Sequence, residues 1–194
     1  MGKKLVIISL LLFWAFYVAA QQTLNLQGDW TVTIKDNKCD INLPGTLDMA
    51  GIGIPTTLAP SLDKQVLRHL TRRVSFIGTA DYERTIEIPV EMAGKPLVIK
   101  FERVLWRSRL FIDGVEHGSS CESLTTPHIY RFENGLQAGT HVLRVSVDNT
   151  KQYDMSYEDM AHAYTNETQT MWNGILGEMS VTALPAVSLE QLQI

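Results

Sequence analysis

Cysteine is scarce in this chain, long apolar runs are confined to its first residues, and no block of like charge occurs. Cys39 and Cys121 are the 2 cysteines among 194 residues, so no multi-disulfide framework is available. Export would permit a single bond between them, but nothing in their spacing requires one. Neither stands at metal-ligand spacing from another cysteine or a histidine pair. No metal and no cofactor is expected. Charged residues make up 20% of the sequence, with a formal net charge of -4. The basic stretches at 68–73 and 103–109 are short and interrupted by apolar residues, as strand-edge and ion-pairing charges are. Nothing points to nucleic acid. Amphipathic helix is nearly absent, with a weak signal over residues 61–70. No G-x-S-x-G elbow and no phosphate-binding loop appears.

The first segment present reads as an export leader. Lys3 and Lys4 precede an apolar run from Leu5 to Val18, and Ala19 and Ala20 follow. This charged, apolar, small-residue order is that of a secretory signal peptide. Val18 and Ala20 suit the small-residue positions of a cleavage site and leave Gln21 as the mature start. The run is shorter than the ~20 residues of a spanning helix, which favours cleavage over anchoring. Residues 1–20 are therefore read as a signal peptide. The expected location is periplasmic or extracellular, with no membrane association after cleavage.

Beyond the leader, the sequence reads as short strands. Residues 24–34 alternate and carry Trp30 as a large anchor. Residues 37–40 read as a turn, 41–43 as a short apolar piece, and Pro44-Gly45 as a second turn. Gly45, Gly51, Gly53, Pro55 and Pro60 make residues 45–65 an irregular connection. From Val74 the β pattern is regular, with strands over 80–88, 95–104, 108–112, 115–118, 128–132, 141–147 and 178–184. Within 95–104, Leu97, Ile99 and Phe101 fall on one face and Val98, Lys100 and Glu102 on the other. Asp113-Gly114 is a hairpin signal. This pattern predicts an all-β fold, an antiparallel β-sandwich, with a jelly roll if the strand order is non-sequential. Trp30, Tyr82, Phe101 and Trp106 are expected in its core. Residues 187–194 read as a strand with nothing to pair in its own domain, the start of a further domain.

Residues 162–177, H-A-Y-T-N-E-T-Q-T-M-W-N-G-I-L-G, are the most unusual stretch. So many amides and hydroxyls cannot enter a core strand without leaving polar groups unpaired. A long loop is expected, and long loops in compact domains more often carry function than not.

Several motifs, in order, resemble one family. They are Gly28-Asp29-Trp30; L-P-G-T-L-D at 43–48; Leu70-Thr71-Arg72; D-Y-E-R-T-I at 81–86; F-E-R-V-L-W-R-S at 101–108; Asp113-Gly114; S-L-T-T-P-H at 123–128; G-T-H-V-L-R-V-S-V-D-N at 139–149; and the stretch 162–177. Together they are similar to the N-terminal sugar-binding domain of glycoside hydrolase family 2, which includes β-galactosidases, β-glucuronidases and β-mannosidases. The resemblance spans residues 24–185. It implies a jelly roll of the galactose-binding-like type, followed in the family by an immunoglobulin-like domain and a (β/α)8 barrel. The barrel carries two catalytic glutamates for retaining hydrolysis, a pair set about 5 Å apart. The implied organisation here is signal peptide 1–20, sugar-binding sandwich 21–185, and 186–194 as the opening of a missing immunoglobulin-like domain. No catalytic residue is expected within the chain, which would be inactive alone.

At matching positions the resemblance assigns Asn166, Glu167, Gln169, Trp172 and Asn173 to positioning a sugar at the active-site mouth. The chemistry fits: aromatic faces take the C–H side of a pyranose, and amides and carboxylates take its hydroxyls. Trp172 has an alternative reading as a core anchor. Thr170 stands where some family members carry a carboxylate near the sugar or a cation. Glu83, Glu87 and Glu102 are read as paired surface groups, Asp148-Asn149 as loop organisation or sugar contact, and His128 and His162 as loop hydrogen bonders. The expected partners are a β-linked carbohydrate and the missing domains. Two other readings remain open, a free-standing carbohydrate-binding module and a structural sandwich in an assembly.

Overall fold

The computed structural model describes residues 22–55, 62, 73–150, 152 and 171–185. The leader, the weak helix at 61–70 (except for Leu62), most of the stretch 162–177, and residues 187–194 lie outside these.

The described residues form β-strands and connections. The strands are β1 (Thr23–Asn25), β2 (Gly28–Ile34), β3 (Asn37–Leu43), β4 (Gly45–Thr46), β5 (Ile54–Pro55), β6 (Val74–Ser75), β7 (Thr79–Ile88), β8 (Leu97–Val104), β9 (Arg107–Ile112), β10 (Val115–Glu122), β11 (His128–Phe132), β12 (Gly139–Asp148) and β13 (Gly174–Ala183). One sheet has the order β1-β13-β8-β11, with β4 also on β13. The other has the order β10-β9-β12-β7-β2-β3, and β5-β6 form a small ribbon. All pairings are antiparallel. The two main sheets close face to face as an antiparallel sandwich of jelly-roll type.

Period-two alternation builds the core. β8 buries Leu97, Ile99 and Phe101, as its pattern predicts; β7 buries Ala80, Tyr82, Ile86 and Ile88; β12 buries Leu143, Val145 and Val147. Each large side chain so buried contributes about 1.5–3 kcal/mol before entropy is counted. Trp30, Tyr82, Phe101 and Trp106 are all buried, as expected. Trp30 also donates its indole N–H to the Leu26 carbonyl at 2.8 Å, which satisfies its polar end.

Two local expectations are corrected. Residues 37–40 are not a turn: the turn is Lys35-Asp36, and Asn37 begins β3, paired with Ile34. The inward residues of β3 are few and its outward ones are Lys38, Asp40 and Asn42, so its alternation is faint. The ladder to β2 makes it a strand. Residues 24–34 are two strands, since Gly28 at φ 116° lets the chain pass from β1 in one sheet to β2 in the other.

Both cysteines are free thiols. Cys39 lies on β3 and Cys121 on β10, the opposite edges of the six-stranded sheet. Five strand spacings of about 4.8 Å separate them by roughly 24 Å, whereas a disulfide needs Cα atoms about 4.4–6.8 Å apart.

Candidate functional site

The stretch singled out in the sequence ends at one pole of the sandwich. Here β8 passes into β9, β12 ends, β7 begins, and β13 sets out from Gly174. The turn after β4 joins them: Leu47 N–H donates to the Asn173 carbonyl at 2.9 Å. Of the five assigned residues, Trp172 and Asn173 are described; Asn166, Glu167 and Gln169 lie outside the described residues.

Asn173 is fully buried. Its Oδ1 accepts the Tyr82 hydroxyl at 2.7 Å. Its Nδ2 donates to the Gly78 carbonyl at 3.0 Å and the Val147 carbonyl at 3.2 Å. The amide thus ties β13 to β7 and β12. Asn149, also buried, completes the arrangement: its Oδ1 accepts the Gly78 N–H at 2.8 Å and its Nδ2 donates to the Phe76 carbonyl at 2.9 Å. The Gly78 peptide is therefore held from both sides by two asparagines. Tyr82 is pushed well above the ordinary phenol range, by burial first and by the charge of Asp48 second. It stays a neutral donor to Asn173.

Trp172 is half-buried and packs against a small cluster of Leu105, Trp106 and Met171, apart from the main core. The segments beside that cluster are tied together. Trp106 N–H donates to the Asp148 carbonyl and its carbonyl accepts the Ser123 N–H, each at 3.1 Å. Ser123 Oγ in turn accepts the N–H groups of Thr125 and Thr126. Asp148 Oδ1 accepts the Thr150 N–H at 2.9 Å and its hydroxyl at 2.7 Å. Of the two readings of Asp148-Asn149, loop organisation is the one their contacts carry out.

His128 is buried beside this pole and its Nδ1 lies 2.6 Å from Ser108 Oγ, which is also 2.7 Å from the Tyr130 hydroxyl. Burial lowers the His128 pKa, the Ser123 backbone opposing it. Burial likewise raises that of Tyr130, its bond to Ser108 opposing. Ser108 and His128 form a close pair, but both are buried, and among the described residues His128 Nε2 has no hydrogen-bond partner. Among the described residues no carboxylate orients this imidazole as nucleophile activation requires. Its expected partner was a loop: the Ser123 backbone of the β10–β11 connection supplies one, and the strand serine Ser108 a second.

Several of the described surface carboxylates are engaged. Glu83 pairs with Lys38 at 3.2 Å, Glu87 accepts the Thr140 hydroxyl at 2.8 Å, and Glu102 accepts the Glu178 N–H at 2.6 Å. Arg107 pairs with Glu122, and Arg109 with Glu116. Among the described residues no group of three His, Cys, Asp or Glu side chains could hold a metal ion. A groove of 780 Å³ lies along β2, β3 and β7, lined by Thr31, Lys38, Asp40, Asn42 and Glu83. Its one aromatic, Trp30, is buried. The groove is remote from the pole that holds Trp172 and offers no ring to stack a sugar.

Sequence reasoning found the pole through its amides, Asn149 among them, but missed Tyr82 as a group that fixes it. Tyr82 reads as an ordinary core position, and its partner lies far away in the chain.

No family model and no curated protein matches the sequence. Solved structures do match in fold. A glycoside hydrolase family 2 β-galacturonidase from Eisenbergiella tayi, bound to galacturonate, superposes with TM-score 0.56 at 19% identity, over 85% of this chain and 25% of that one. The β-glucuronidase of Ruminococcus gnavus in complex with uronic isofagomine gives TM-score 0.60 at 15% identity, over 87% and 29%. The β-D-glucuronidase of Dictyoglomus thermophilum gives TM-score 0.59 at 15% identity, over 87% and 29%. This chain carries the β-sandwich fold that such glycosidases contain over a quarter to a third of their own length.

Proposed function

We propose that this chain is a non-catalytic, carbohydrate-facing domain of a family 2 β-glycosidase. It would shape the mouth of an active site whose catalytic carboxylates lie in another domain. One observation supports this above the rest: the superposition takes in nearly all of the chain but only 25–29% of the glycosidases. The partners are a β-linked glycoside and the catalytic and immunoglobulin-like domains of such an enzyme. Uronides are the first substrate class to test, since the matched enzymes act on galacturonides and glucuronides. Trp172 at the pole would meet the sugar, together with the polar groups Asn166, Glu167 and Gln169, which lie outside the described residues. Asn173 would act through position, its amide holding Trp172 at the rim. The leader at 1–20 and an exported location belong to the same proposal.

The free-standing carbohydrate module is the second reading, and the 780 Å³ groove is the feature that favours it. It ranks lower because the groove has no exposed aromatic platform. The test is turnover of aryl β-glucuronide, β-galacturonide and β-galactoside by the purified chain, with binding of the same glycosides. The expected result is no turnover. Measurable hydrolysis would overturn the proposal.

A further inference from the structure

The two main sheets end in β1 and β11, and in β10 and β3. Three of these edges are protected. β1 is only 3 residues long. β10 is broken by a bulge between His117 and Cys121, and it meets β11 where Cys121 Sγ donates to the Ile129 carbonyl at 3.5 Å. β3 has no such device. It runs for 7 residues without proline, and its register on β2 is unbroken. Among the described residues β2 is its one ladder partner. An edge of this kind is a template for another strand. The turn Lys35-Asp36 makes Ile34 and Asn37 a hydrogen-bonded pair, and alternation from there leaves the peptide groups of Lys38 and Asp40 facing outward. Beyond Ile41 the edge is crowded, since a Cβ on Gly45 would lie 2.7 Å from the Asn42 carbonyl oxygen. The side chains of Lys38 and Asp40 are exposed. Lys38 reaches Glu83 at 3.2 Å, and among the described residues Asp40 has no ion pair.

Charges protect an edge by repelling like charge on an incoming strand, and they favour a strand that brings the opposite sign. Here the sign alternates, Lys38 then Asp40. A second copy complements this pattern in one register. Antiparallel pairing about a two-fold axis at Cys39 sets Lys38 against Asp40 of the second copy, and Asp40 against its Lys38. An axis at Asp40 would oppose two carboxylates, and an axis at Lys38 two ammonium groups. An axis between residues would set outward peptide groups against inward ones. We propose that β3 pairs with β3 of a second copy about Cys39, joining the two six-stranded sheets edge to edge. The two Cys39 residues then face each other as a non-hydrogen-bonded pair, with Cα atoms about 4.5 Å apart. The contact uses the same strand on both copies, so it closes at a dimer. It is independent of the sugar-facing reading.

The test is sedimentation equilibrium of the purified chain over a wide range of concentration. A monomer–dimer equilibrium that weakens as salt rises is expected. Lys38→Asp and Asp40→Lys each set like charges opposite one another twice across the axis, and each should weaken association about tenfold or more. Mixed together, the two variants place every Asp against a Lys. The mixture should therefore associate to within about threefold of the wild type, which misfolded variants could not do. With Cys121→Ser in place, copper-phenanthroline takes one electron from each Cys39 thiol, whose protons pass to the buffer. The S–S bond so formed should join the dimer, the Cα separation being within the disulfide range. A monomer at every concentration would overturn the proposal and leave the edge to a different chain. A dimer that the single charge reversals leave intact, or that the mixture fails to restore, would place the contact elsewhere and overturn it as well. A dimer with no Cys39 crosslink would overturn the register.

Discussion

At the residue scale the pole is decided by a single buried amide. Asn173 makes three side-chain hydrogen bonds to two separate stretches of chain, the start of β7 and the end of β12. Its replacement by alanine leaves the Tyr82 hydroxyl and the Gly78 and Val147 carbonyls without that partner. A loss of about 2–4 kcal/mol is expected from several such groups, each costing about 1–3 kcal/mol when stranded. Tyr82→Phe removes one bond and should cost about 1 kcal/mol. Urea denaturation of both variants and the double variant measures the coupling, and additive losses would show that the two side chains act independently. The sequence marked Asn173 for its chemistry but not for its direction. An amide beside a tryptophan and a glycine reads equally as a sugar contact or a clamp, and only the pairing of β13 with β4 and β8 turns it inward.

His141 and Asp113 make a second residue-scale case. His141 Nδ1 lies 2.6 Å from Asp113 Oδ2, and Asp113 Oδ1 accepts the Val142 N–H at 2.8 Å. The Asp113 bond raises the His141 pKa, while the Val142 N–H first and His141 second lower that of Asp113. The histidine's contribution is complete below its unfolded pKa and lost as pH rises through the raised folded value. The aspartate's is complete above its unfolded pKa and lost as pH falls through the lowered one. The pair is therefore strongest between about pH 4 and pH 6.5. His141→Gln should destabilise most in that window, with the gap to wild type closing in alkali; a gap independent of pH would sink this account. Asp113 is half-exposed, so the effect is modest.

At the element scale, β13 is not one continuous strand ladder. Its register against β8 shifts between Leu176 and Met179. Gly177 sits in the shift at φ 77°, and a Cβ there would lie 2.4 Å from Glu102 Oε2. The same carboxylate accepts the Glu178 N–H. The bulge displaces the exposed Gly177-Glu178 pair outward. Gly177→Ala combines a left-handed backbone with crowding against Glu102, and about 1–3 kcal/mol should be lost. Thermal unfolding checks this, and an unchanged Tm would mean the bulge yields freely. Strands such as β7, β8 and β11 were legible because apolar residues alternate cleanly over their lengths. β3 was not, because its outward face is polar, and the early part of β13 was not, because Gly174 and Gly177 look like loop residues.

At the scale of the whole molecule, alternation gave two-faced strands but no information on their neighbours. The order β10-β9-β12-β7-β2-β3 joins strands distant in sequence, and it is this order that brings the end of β12 and the starts of β7 and β9 to the pole of Trp172. A sandwich of this kind presents side chains from many loops at one end. Retaining hydrolysis needs two carboxyl groups about 5–5.5 Å apart on either side of that bond. Five of the described carboxylates at the strand surfaces, Glu83, Glu87, Glu122, Glu116 and Glu102, are held by Lys38, Thr140, Arg107, Arg109 and the Glu178 N–H. The purified chain should therefore bind a β-glycoside weakly and turn over none. Joining it to a catalytic barrel should change the affinity of that barrel for its non-reducing sugar far more than the rate of bond cleavage. The comparison is KM against kcat for the barrel with and without this domain. An altered kcat at constant KM would place this domain's groups at the reacting bond, which is where the arrangement of its side chains gives no reason to put them.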